Sequence, residues 1–143
     1  TYTIDSIRIV HDFGKSMNTD IDYGQIEGGL VQGIGWMTME EIVFDDKGIL
    51  KSNALSTYKV PDIYSVPETI EIVPLLTQKE NMAILQSKAV GEPPLMYGIG
   101  TYFAIRNAIL AFNPSSPVAF DAPMTPEKGL MALYPHFSHE AIS

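Results

Sequence analysis

Between Asp22 and Glu41 apolar residues recur at helical intervals, at Ile26, Leu30, Ile34 and Met37, and the same stretch carries Gly24, Gly28, Gly29, Gly33 and Gly35. Each glycine inside a helix costs up to ~1 kcal/mol relative to alanine, so a helix that keeps five of them needs a compensating contact. Close approach by another backbone or by a ligand supplies one, because only there does a missing side chain become an advantage. Asp22 and Gln25 have the spacing of a capping box, which predicts that this helix covers about 24–41.

The remaining elements are arranged around that helix. Residues 2–10 are rich in Ile, Val, Tyr and Thr and read as a strand closed by His11-Asp12-Phe13-Gly14, and residues 69–76 read as a second strand. Asp45-Asp46-Lys47-Gly48 predicts a hairpin between 41–44 and 49–53. Pro61 and Pro67 make 58–68 an irregular connection. A mainly apolar helix follows over 95–112 with proline in its first turn, and Gly98, Gly100, Arg106 and Asn107 argue against its crossing a lipid bilayer. Pro114, Pro117 and Pro123 mark a loop, after which Thr125 as N-cap and Pro126 start a short helix to about Leu133. The expected fold is a single α+β domain over 1–134, with a mixed sheet, two long glycine-containing helices and a short C-terminal helix, followed by a tail over 135–143. Thr1 to Val10 reads as a strand already in progress, so the chain is expected to be a piece of something longer.

Several function classes fall away on composition. A formal net charge of −8 argues against a nucleic-acid partner, which needs a basic face. Hydrophobic content of 45% against 18% charged residues is that of a packed unit rather than a disordered one. The absence of cysteine removes disulfides, thiolate metal sites and cysteine-ligated iron-sulfur clusters from this chain. Gly14-Lys15-Ser16 lacks the earlier glycine of a phosphate loop, since Ile9 stands there, and Gly33/Gly35 and Gly98/Gly100 lack the third glycine of a dinucleotide fold. His136 and His139 have a metal-ligand spacing but sit in the tail beside Pro135, and His11 at a strand end reads as a hydrogen-bonded structural histidine; no metal ligand is assigned.

Glu92 is different. It is the only carboxylate between Glu80 and Asp121 and is set among small and apolar residues. Pro93 predicts an extended Glu92, and the helix beginning at Pro94 offers a positive dipole end to its carboxylate. A fixed, partly desolvated, ionised carboxylate at such a junction suits a general base. Stabilisation of the helix start, or pairing with Lys88, accounts for it equally well on these grounds.

Lys88-Ala89-Val90-Gly91-Glu92-Pro93-Pro94-Leu95 resembles the glutamate motif of the xanthine dehydrogenase and aldehyde oxidase family of molybdenum hydroxylases. Three further stretches agree with it in order: Val10 to Asn18 leading into Gly24 to Gly35, Ser56 to Ile63, and Ala122 to Lys128. The resemblance covers nearly the whole chain and corresponds to the C-terminal portion of the family's molybdopterin-binding region. It implies that Glu92 is the catalytic base that deprotonates the molybdenum-bound hydroxide in a hydroxylation with water as oxygen source. It also implies that Gln25 contacts the molybdopterin, although the side chain of a capping box remains an alternative for Gln25. The Pro-Pro-Leu after Glu92 points toward a purine or another N-heterocycle as substrate rather than an aldehyde.

By the same resemblance, the substrate-orienting residues and most pterin-binding loops belong to sequence outside this chain. The rest of the molybdenum subunit, together with iron-sulfur and FAD domains or subunits, are then its expected partners, in a cytoplasmic oligomer with no membrane association. The piece alone is expected to be inactive. The competing readings are a non-catalytic assembly or binding module derived from the same domain, or an aldehyde oxidoreductase.

Overall fold

In a computed structural model that describes residues 1–75 and 83–135, strands β1 (Ser6–His11) and β2 (Thr69–Pro74) pair in parallel, from Ser6 opposite Thr69 to His11 opposite Pro74. Parallel neighbours need a crossover, and helix α1 (Thr19–Thr38) lies in the connection. Among the described residues these two strands are the whole sheet, so the expected mixed sheet is corrected to a parallel pair. The hairpin around Gly48 is present only as a single antiparallel bridge, Phe44 to Leu50, with Gly48 at φ +76°. The predicted end of the second strand and the tail from 136 onward, including His136 and His139, lie outside the described residues.

Helix α1 begins before the predicted start. Asn18 is its N-cap, accepting from the Ile21 N–H at 3.3 Å, while Asp22 accepts the Ser16 hydroxyl. The capping box at Asp22 and Gln25 is therefore absent: both residues are already inside the helix, and Asp22 has another partner. The predicted apolar repeat does face the core. Ile26, Leu30 and Ile34 are buried together with Ile9, Phe13 and Val90, against Ile7, Ile70 and Ile72 of the two strands. Burying each of these α1 side chains is worth ~1.5–3 kcal/mol.

Another face of α1 is covered by the second apolar helix, which is not continuous. Helix α2 (Pro93–Tyr97) ends at Gly98, and α3 (Ile99–Phe112) starts after it. The break sits where the two chains touch through backbone: a Cβ on Gly33 would stand 2.0 Å from the Leu95 carbonyl oxygen, and one on Gly98 would stand 2.2 Å from the Gly33 carbonyl carbon. Gly29 packs under Pro94 in the same way, at 2.7 Å. Of the five glycines of α1, Gly33 lies against the Leu95 backbone and Gly29 against Pro94, while Gly24 and Gly28 meet no heavy atom within 4 Å. Pro93–Phe112 is apolar and long enough to cross a membrane by length and composition alone, at a mean hydropathy of 1.2, but its break at Gly98 and its contacts with α1 and α4 give it protein neighbours.

Helix α4 (Pro126–Leu133) starts as expected, with Thr125 accepting from the Lys128 N–H. It closes a second core around Tyr102, Ile109 and Met124, packed by Met37, Ile105 and Leu133. Outside these two cores much apolar surface is open, including Phe44, Leu55, Ile63, Phe112 and Phe120, each more than half exposed. Isolated surface of this kind associates. The 143-residue chain on its own is therefore expected to sediment as concentration-dependent oligomers, and a single monomeric species across concentration would contradict the expectation.

Candidate catalytic site at the start of α2

Glu92 is the residue immediately before α2. Its backbone is helical, at φ −84° and ψ −19°, which corrects the extended conformation predicted from Pro93. The restriction that proline places on the preceding residue is a bias. Here Gly91, at φ +63°, reverses the chain first, and the Leu95 N–H then donates to the Glu92 carbonyl at 3.0 Å, closing a turn. The side chain is exposed, caps nothing, and has no hydrogen bond or ion pair among the described residues. The expected partial desolvation of Glu92 is corrected accordingly: nothing among the described residues covers it.

Pairing with Lys88 is also corrected. The Lys88 ammonium turns away to the Asp12 carboxylate just beyond β1. That hydrogen bond, followed by one from the Gly14 N–H, holds the Asp12 carboxyl below the ordinary aspartate value. Backbone pairing supports the same junction: the Lys88 N–H donates to Phe13 O at 3.0 Å, the Lys15 N–H donates to Gln86 O at 2.8 Å, and Gly14 bridges Ser87. Phe13, Gly14 and Lys15 thus pair with 86–88, while the Ser16 hydroxyl donates to Asp22.

At the far end of α2, the Tyr97 hydroxyl meets Nδ1 of His11, the last residue of β1. Burial pushes the Tyr97 hydroxyl up from its ordinary value, so it stays protonated. His11 is 5% exposed, and its Nε2 has no partner among the described residues. The sequence reading of His11 as a hydrogen-bonded structural histidine holds for one ring nitrogen. Its partner, and that of Asp12, were not anticipated, because each pair joins residues far apart in the chain.

Gln25 is exposed in the second turn of α1 and is free of hydrogen bonds among the described residues. Gln25, Gly29 and Gly33 follow one another at helical spacing along one row, each ~6 Å along the axis from the next. Gly29 underlies Pro94 and Gly33 underlies Leu95 and Gly98, so toward the N-terminal end of this contact α1 leads to Gln25, one turn before Gly29, and α2 leads to Glu92, just before Pro94. Gly24 and Gly28 beside Gln25 have no heavy atom within 4 Å of a Cβ position, which leaves that helix surface bare. Among the described residues no group of three or more His, Asp or Glu side chains is placed to hold a metal ion.

Comparison with known proteins bears on this end of the molecule. A family model described as a molybdopterin cofactor-binding domain matches residues 1–67, which include Gln25 and the whole of α1. The xanthine dehydrogenase/oxidase of Rattus norvegicus is 43% identical over 126 residues, covering 84% of this chain and 10% of the relative. Among solved structures, quinoline 2-oxidoreductase from Pseudomonas putida 86 superposes with a TM-score of 0.79 at 30% identity, over 92% of this chain and 16% of that one. The aldehyde oxidoreductase of Desulfovibrio gigas superposes with a TM-score of 0.69 at 32% identity, over 92% and 13% respectively. The chain spans about a tenth of the length of the curated relatives it matches.

The residues present fit such a cofactor. An unpaired amide on a helix surface stripped of side chains can donate to pterin or phosphate oxygens, and an unpaired carboxylate just before the neighbouring helix can accept a proton. The donor set holds no thiol or imidazole to ligate the metal directly. The fit is therefore to the organic part of the cofactor and to the reaction's protons.

Proposed function

Because the chain belongs to the xanthine dehydrogenase and aldehyde oxidase family of molybdenum hydroxylases, as part of its molybdopterin-binding region, we propose that it supplies one wall of a hydroxylation site, with Glu92 as the general base. The domain involved is 1–134, and the substrate is a purine or another electron-poor N-heterocycle. The observation that supports the reading is an exposed carboxylate just before α2 and an exposed amide in the second turn of α1, both without a hydrogen bond among the described residues, on two helices packed together through Gly29 and Gly33.

Bound molybdenum-molybdopterin supplies the two-electron oxidising centre for a hydroxylation that takes its oxygen from water. The Glu92 carboxylate takes the proton that this oxygen gives up as it bonds to the substrate carbon. Its position is fixed by backbone rather than by side-chain partners, so no hydrogen bond has to be broken before it accepts the proton. The Gln25 amide donates to the cofactor from the bare surface next to Gly24 and Gly28. The remaining polypeptide covers both residues and excludes water from them, which this chain cannot do alone.

The test is hydroxylation by the intact molybdenum-loaded protein across purines, other N-heterocycles and aldehydes in oxygen-labelled water. Label entering an N-heterocyclic product supports the proposal, and turnover of aldehydes alone would move the substrate class. A second expectation concerns Gln25. Gln25→Ala in the intact protein lowers the molybdenum and pterin retained per chain, measured by elemental and fluorescence analysis after gel filtration. Unchanged content would remove Gln25 from the cofactor's contacts.

A further inference from the structure

We propose that His11 and Asp12 are positioning residues for Glu92: two consecutive residues at the end of β1 grip the arch 88–97 by both of its feet, Asp12 through Lys88 and His11 through Tyr97. The inference rests on the reading of Glu92 as the base and adds to it what aims that base.

Between its feet the arch has little to orient it. Gly91 carries a positive φ, the Glu92 side chain is free, and Pro93 and Pro94 have no N–H to give. The turn closed by the Leu95 N–H and the seat of Pro94 on Gly29 fix where the arch rests on α1. Leu95 and Gly98 on Gly33 add a second backbone contact with α1, and the feet hold the chain on either side of Glu92. Both reach the same short piece of chain, which is itself held by β2, where the Leu75 N–H donates to the His11 carbonyl at 2.9 Å. One foot is reinforced by the ladder between 13–15 and 86–88, and the other has the His11–Tyr97 contact.

The chemistry of that second foot argues for a purpose beyond stability. His11 is buried with one ring nitrogen unpartnered among the described residues, a state that leaves a polar atom unsatisfied. An apolar side chain in its place would leave no unpaired ring nitrogen but would deprive the Tyr97 hydroxyl of its partner. What the imidazole adds is a directional bond to Tyr97, at the end of the short helix that Glu92 precedes. A change in how the Tyr97 end of this five-residue helix is held is carried along it to Glu92 at the other end, and a shift of ~1 Å at a reacting group costs up to ~10²-fold in rate.

The experiment compares Asp12→Asn, Tyr97→Phe and Asp12→Glu with the unaltered intact holoprotein at equal molybdenum content. It reads kcat, KM and amide hydrogen exchange over 89–97. Asp12→Asn and Tyr97→Phe are expected to speed exchange in the arch and to lower kcat ~10-fold or more while KM moves less than about two-fold. Asp12→Glu, which can still meet Lys88, is expected to recover most of both. Tyr97→Phe changes only the hydroxyl, which keeps one arm readable if Asp12→Asn folds poorly. Unchanged exchange in both disrupting variants overturns the clamp whatever the activity does. Faster exchange with unchanged kcat overturns the positioning role. Glu92→Gln run alongside separates the two proposals: full activity there overturns Glu92 as the base, while the exchange data still decide whether His11 and Asp12 hold the arch.

Discussion

Gly33→Ala is expected to destabilise the chain by about 1–3 kcal/mol, while Gly28→Ala in the same helix is expected to stabilise it by up to ~1 kcal/mol. The intrinsic helix preference is the same at both sites, so the opposite signs come from what the new methyl meets. At Gly28 there is no heavy atom within 4 Å. At Gly33 the methyl would stand 2.0 Å from the Leu95 carbonyl oxygen and 3.2 Å from the Gly98 Cα. Both are backbone atoms and cannot escape by changing rotamer, so α1 and α2 must separate. Separation unseats Pro94 from Gly29 and carries the start of α2 with it, which couples a stability change to the position of Glu92. Urea titrations of the two variants beside the parent chain test this directly. Equal effects, or a stabilised Gly33→Ala, would mean that the α1–α2 contact is looser than this packing.

The glycine pattern also shows which parts of the fold could be read from sequence. That α1 would be a helix needing a close neighbour followed from Ile26, Leu30 and Ile34 set among glycines, since both signals are local. Its start was misplaced because Asn18 and Asp22 are both competent caps, and the Ser16 hydroxyl, upstream of either spacing rule, takes Asp22. The break at Gly98 was hidden for the opposite reason. Apolar spacing runs through it unchanged, and only the backbone of Gly33, far away in sequence, shows why the helix divides there.

The candidate site divides along the same line. Glu92 stood out because an isolated carboxylate beside two prolines is a local anomaly. Its surroundings did not, because Lys88 lies close enough in sequence to suggest a pair and is instead bound to Asp12, across the chain. His11 reads from the sequence as a structural histidine within the Val10–Asn18 stretch, but its partner Tyr97, 86 residues away, leaves no local signal. Gln25 was placed by resemblance. The row through Gly29 and Gly33 leads back to it from the contact that α2 makes just after Glu92.

Glu92→Gln in the intact molybdenum-loaded protein is expected to lower hydroxylation ~10²- to 10⁴-fold with molybdenum content unchanged. Glutamine keeps the size and most of the hydrogen-bonding capacity of glutamate but cannot take a proton at neutral pH. The side chain is exposed and has no partner among the described residues, so its replacement is expected to alter stability by no more than about 0.5 kcal/mol, and the loss can be assigned to chemistry. If Glu92 acts only when the reaction is under way, the deficit falls on kcat and kcat/KM together. Glu92→Asp sharpens the test, because it retains the base but withdraws it by one methylene, and should fall between glutamate and glutamine. Equal activity in all three would take Glu92 out of the reaction and leave it as the leading residue of α2. A wild-type protein that binds no molybdenum and turns over nothing would favour the assembly-module reading, in which the same helix contact through Gly33 and Gly98 serves packing alone.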